Sequence, residues 1–144
     1  MNKNPHSGHR ARLRDRFRRE GYDLDHFEPH NILELMLFYC APQKDTNELA
    51  HLLIDEFGSI SGVFDAPYEE LVKVSGVGEY TATFIKTIPA LFRVYETDRL
   101  KDEAVLDSAQ AARRYFIPKF IGRTEELVYV ACLDSECKVK CCEI

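Results

Sequence analysis

No stretch of this sequence is apolar for long enough to cross a bilayer. The longest uninterrupted run, Leu35 to Ala41, falls far short of the roughly 20 residues that a spanning helix requires. The basic N-terminus is not followed by an apolar stretch and so does not read as a signal peptide. The expectation is a soluble, cytoplasmic protein with no membrane partner. Paired C-x-x-C arms are also missing. Five cysteines, an odd number, do not describe a disulfide framework. Cys132, Cys137, Cys141 and Cys142 lack the spacing that holds a tetrahedral zinc ion, and they read as reduced thiols filling two strands. At 144 residues the chain is too short for a barrel enzyme, but it suffices for one ordinary domain or for a small domain and part of another. Basic side chains are scarce in the middle: residues 21–80 hold only Lys44 and Lys73 against twelve acids.

What is present is a globular composition, 45% hydrophobic and 30% charged, with a net charge of -5, which argues against a mainly disordered chain. The positive charge is segregated at the start. Residues 1–20 carry Lys3, Arg10, Arg12, Arg14, Arg16, Arg18 and Arg19 against Asp15 and Glu20. Because the molecule as a whole repels phosphate, any nucleic-acid surface must be local. Six arginines within ten residues suit a phosphate-binding arm. A solvated face, or pairing with the acidic middle, is the rival reading.

Apolar spacing predicts helices over His9–Glu20, around Leu13 and Phe17, and over Asn31–Cys40, apolar nearly all round and ended by Pro42. A third follows Asp45 and Glu48, which resemble a capping box, and stops at Gly58. Ser59–Phe64 reads as a turn. Pro67 suits the first residue of a brief helix reaching Lys73. A longer helix is expected over Glu79–Glu96, with Ala82, Ile85, Ile88, Phe92 and Tyr95 inward and Pro89 as a kink. Thr97–Asp107 reads as a connector, and Ser108 as the cap of a helix running toward Phe120. From Glu125 the period changes: Leu127–Leu133 reads as a largely buried strand, Asp134–Glu136 as a turn, and Lys138–Ile144 as the returning strand.

Leu71-Val72-Lys73-Val74-Ser75-Gly76-Val77-Gly78, running into Glu79 and Tyr80, resembles a helix-hairpin-helix. Gly76 and Gly78 would permit the tight turn and expose backbone amides, which with the next helix's N-terminus fit a phosphate. Val74 and Val77 would anchor the turn, small Ala82 would let the helices approach, and Leu71 and Ile85 would close the seam. Such contacts read the DNA backbone and not its bases. The alternative is a plain glycine-rich turn. Glu79 competes for the same amides, so binding would need Gly76, Val77 and Gly78 together with Lys73, Lys86 or the arginines Arg10, Arg14 and Arg18. His26 and His30, with Glu28 between them, imitate a metal motif, but Pro29 interrupts the helix that would align them. No Ser, Cys or paired-carboxylate constellation supports hydrolysis, and Cys40 reads as core.

The ordered set Gly8–Arg14, Leu33–Leu37, Lys44–Asn47, Phe57–Ser59 and the hairpin resembles the N-terminal region of the bacterial RadC family, which joins a helix-hairpin-helix module to a JAB (MPN-type) metalloprotease-like domain. Val128–Ile144 is similar to the first strand hairpin of that domain. The resemblance implies a mainly α fold: a helix-hairpin-helix bundle over residues 1–98, a connector over 99–107, and over 108–144 the truncated start of an α/β JAB domain, a helix plus a β-hairpin. It implies a DNA-repair-associated module binding the DNA backbone without sequence preference. The alternative is a protein-interaction or dimerisation module of a zinc-dependent JAB metalloprotease or isopeptidase, with a protein partner or a second copy bound. The family's H-x-H, Ser and Asp metal motif is not in this sequence. Catalytic residues, metal ligands and a cofactor are therefore not expected in this chain, and zinc belongs to a complete JAB domain.

Overall fold

The computed structural model describes residues 5–41, 45–100 and 105–144. Lys3, Pro42, Lys44 and the middle of the expected connector, residues 101–104, lie outside them. The described residues are mainly helical, with a small two-stranded antiparallel sheet near the end. They form two compact units that divide after Ile85.

In the first unit, α1 (Pro5–Arg19) starts a turn earlier than the spacing predicts. Gly21, in the left-handed region at φ +71°, follows its end. Next, α2 (Pro29–Cys40) opens on Pro29, whose fixed φ and missing donor suit a first turn. The capping expectation for α3 (Thr46–Phe57) is met: the Asp45 carboxylate accepts from the amides of Asn47 and Glu48, and Gly58 closes the helix at φ +79°. Ser59–Phe64 is not a plain turn. The Ser59 hydroxyl accepts from the Gly62 amide at 3.0 Å, and this cap starts the short helix α4 (Ile60–Asp65). A side chain at position 62 would collide with the Phe57 carbonyl oxygen, so glycine is what lets α4 turn back so tightly. Pro67 stands one position outside α5 (Tyr68–Leu71), and Lys73 falls in the turn after it.

Leu33, Leu37, Leu49, Leu53, Val63, Leu71, Val77, Ala82 and Ile85 bury together as the main core. Leu13, Phe27, Leu35 and Phe38 form a second cluster under α1. Helix α6 (Glu79–Arg99) runs longer than expected, with Pro89 inside it. Its apolar stripe outruns the core: Ala82 and Ile85 are buried, whereas Phe92 and Tyr95, expected inward, are 52% and 56% exposed.

The second unit holds α7 (Ala109–Phe116), capped by the Ser108 hydroxyl on the Ala111 amide, and a 3-10 turn over Ile117–Phe120. Pro118 lies in that turn. Gly122, at φ +69°, has no room for a side chain because Pro89 Cβ would lie 2.6 Å from it. The strands are β1 (Val130–Leu133) and β2 (Val139–Glu143), shorter than the sequence suggests. Ala131 pairs with Cys142 and Cys132 with Cys141, and a bulge follows Cys132. The expected burial of the first strand is not found. Val128, Val130 and Leu133 are exposed, because a sheet of two strands has too few neighbours to cover its faces.

Candidate functional site

The turn between α5 and α6 is built from the core outward. Leu71 and Val77 are buried, Val74 packs against the same core, and the Val77 amide donates to the Val74 carbonyl at 2.9 Å. Ser75, Gly76, Gly78, Glu79 and Tyr80 are left exposed. Gly76 is the position that needs glycine: its φ is +90°, and a Cβ there would press on Leu49 Cδ1 at 3.2 Å. Gly78 has ordinary backbone angles and open space around it. Its value to a ligand is close approach of the backbone, and the turn does not require it. Among the described residues the amides of Gly78, Glu79 and Tyr80 find no acceptor, as expected for the orphan donors that open a helix.

Electrostatics around the turn oppose those amides. Asp45, the cap of α3, and Glu48 within it line a cavity of about 190 Å3 together with Leu49, Leu52, Ser75 and Gly76. Glu79 occupies the first turn of α6. Lys73 is exposed but pairs with Glu70 at 2.7 Å, a contact of small energetic weight at the surface. Lys86 is half-buried on α6, in the second unit.

Helix α1 divides its arginines between two roles. Arg16 is structural: its guanidinium lies 4.1 Å from the Phe27 ring centroid, donates to the His26 carbonyl at 2.6 Å and bridges Glu20 at 2.8 Å. Arg10 covers the Phe38 ring at 5.2 Å and donates to the Ala41 carbonyl at 3.4 Å. Arg12, Arg14, Arg18 and Arg19 are exposed on the face turned away from Leu13 and Phe17. Arg18 lies 3.8 Å from Asp15, and both are more than half exposed. Of the three candidates Arg10, Arg14 and Arg18, the last two remain on an open face and the first is partly engaged by the fold.

Two features escaped the sequence reading. Glu34, inside an otherwise apolar helix, is 1% exposed, and its carboxylate meets His9 Nε2 at 3.0 Å and accepts from Asn47 Nδ2 at 3.0 Å. This network joins α1, α2 and α3. The one visible signal was a charged residue between Leu33 and Leu35, where a buried carboxylate must be hydrogen-bonded. Tyr80 is 85% exposed at the start of α6, an aromatic face that apolar periodicity does not flag.

Among the described residues the histidines and cysteines do not assemble a zinc site. His26 precedes α2, whereas His30 lies within it and stacks on His51 with ring centroids 4.2 Å apart. Among the described residues no group of three or more His, Cys, Asp or Glu stands close enough to hold a metal ion. Cys40 is half-buried, and burial pushes its thiol pKa up, which disfavours a nucleophilic thiolate. No helix among the described residues is long and apolar enough to cross a membrane.

A tight glycine turn joins α5 to α6, and an arginine-faced helix opens the same small helical unit. Over most of its length the chain is similar to curated bacterial proteins named UPF0758 protein. It is 36% identical to that of Fusobacterium nucleatum over 107 residues, 74% of this chain and 45% of the relative. Identity to the Ruegeria pomeroyi protein is 36% over 128 residues, 89% of this chain and 56% of the relative. Identity to the Rhodobacter capsulatus protein is 34% over 124 residues, 86% and 57%. The chain thus spans about half the length of the curated relatives it matches. No protein-family profile matches it, and no solved structure does.

Proposed function

We propose that this chain is a RadC-like module, associated with DNA repair, that binds the DNA backbone without reading sequence. The observation that carries the reading is the exposed arginine face of α1, where Arg12, Arg14, Arg18 and Arg19 stand clear of the packed side. Exposed guanidinium groups on one face neutralise phosphates and release counterions, so the binding proposed is salt-dependent and indifferent to sequence. The amides that open α6 beside Gly76 add a second phosphate contact, weakened by Glu79. In this reading α7 and the β-hairpin correspond to the start of a JAB-type domain, and zinc-dependent hydrolysis belongs to complete proteins of that kind.

One observation favours a second reading, an interaction or dimerisation module that does not meet DNA: Asp45, Glu48 and Glu79 surround the turn with negative charge. Anisotropy titrations of a fluorescent duplex at low and physiological salt separate the two. The proposal expects binding at low salt that fades with added salt. No binding at low salt would leave the interaction module.

A further inference from the structure

Two of the five cysteines stand directly across the β-hairpin from each other: Cys132 of β1 pairs with Cys141 of β2. Residues opposed in this way on antiparallel strands have Cα atoms about 4.5 or 5.5 Å apart, within the range that a disulfide spans. Both side chains are exposed, so a reagent in solution reaches them. The register places the two thiols as direct cross-strand neighbours. A hydrogen bond to the Cys141 sulfur is the largest of the influences that raise the Cys132 pKa, followed by the charge on Cys141. Cys142 is excluded from the pair because neighbours on a strand point to opposite faces, and its thiol hydrogen-bonds Tyr115, whose own pKa is pushed up to about 12 by burial and by that contact. Cys137 lies in the turn between the strands, at φ +60°.

We propose that Cys132 and Cys141 form a reversible dithiol–disulfide site, oxidised by low-molecular-weight disulfides of the glutathione class. Both thiols are exposed and either can begin the exchange, here Cys141. The Cys141 thiolate attacks one sulfur of the small disulfide, forming a mixed disulfide and expelling one thiolate. The Cys132 sulfur loses its proton and attacks the Cys141 sulfur, expelling the second. Two protein thiols are thereby oxidised, one small disulfide is reduced to two thiols, and no other electron acceptor is involved. The bond would staple a two-stranded sheet that is marginal alone.

The test is to incubate the full chain with oxidised glutathione and follow it by intact mass and peptide mapping. The expected product has lost two hydrogens, carries no glutathione at Cys132 or Cys141 and links Cys132 to Cys141, and dithiothreitol reverses it. In Cys132→Ser the mixed disulfide should stay trapped on Cys141, and in Cys141→Ser on Cys132. Circular dichroism of both variants confirms that they fold. A link through Cys137 or Cys142, or stable glutathione adducts on both Cys132 and Cys141 of the unaltered chain, would overturn the assignment.

Discussion

His9 on α1 and Glu34 on α2 meet with Nε2 3.0 Å from Oε1, the carboxylate buried and the imidazole partly open to solvent. Asn47 of α3 holds the other carboxylate oxygen. The pair ties α1 to α2 beside the apolar contacts of Leu13 and Phe17. Glu34→Ala removes a buried acceptor and leaves a cavity, so a loss of about 2–4 kcal/mol is expected in urea unfolding. His9→Ala, with its partner still held by Asn47, should cost about 1 kcal/mol. The double variant should lose less than the sum of the two. Strict additivity would show that the contact carries no coupling.

The exposed and the engaged arginines should behave differently. Arg14→Gln and Arg18→Gln are each expected to lower the salt slope of DNA binding by about one, with stability changed by less than about 0.5 kcal/mol. Arg16→Gln, which gives up the Phe27 face and the His26 carbonyl, should instead cost about 1 kcal/mol of folding stability. Anisotropy and urea titrations of the same three variants check this, and equal effects of all three on folding would contradict the division.

At the hairpin, Gly76→Ala places a side chain at φ +90° against Leu49, and a loss of about 1–3 kcal/mol should show in thermal or urea unfolding. Gly78→Ala, into open space, should stay within about 0.5 kcal/mol of the parent. It therefore probes DNA approach without unfolding the turn. Glu79→Lys reverses charge beside the opening amides of α6 and is expected to tighten duplex binding at low salt. Unchanged affinity in both Gly78→Ala and Glu79→Lys would confine the contact to α1.

Asp134 is expected to contribute to the pH response of the β-hairpin. Its carboxylate bridges Lys140 at 2.8 Å and accepts from the Glu136 and Lys138 amides. These contacts, the Lys140 hydrogen bond first, lower its pKa from 3.8 to about 2. A depressed folded pKa means a contribution that is present above the unfolded value and lost as pH falls through the folded one. Protection of the hairpin amides, taken relative to their intrinsic exchange rates, should therefore fall between about pH 4 and pH 2. Asp134→Asn should flatten that change, and an identical acid profile in this variant would place the titration elsewhere.

Sequence alone determined the features that local rules control. Asp45, Ser108 and Gly58 mark helix ends because a cap needs only its own turn. Leu33, Leu37, Leu49, Leu53, Leu71 and Ile85 mark the core through period and hydrophobicity, and Gly76 marks a turn through its freedom at positive φ. The tertiary structure decided what depends on neighbours distant in the chain. Whether Phe92, Tyr95 and Val130 are covered depends on what packs over them, which an apolar period does not contain. Glu34 is buried only because His9 and Asn47, 25 and 13 residues away, come to hydrogen-bond it. Contacts with Phe27, His26, Phe38 and Ala41 likewise separate Arg16 and Arg10 from the four exposed arginines. The opposition of Cys132 to Cys141 follows from strand register, which the turn at Asp134 and the bulge after Cys132 set.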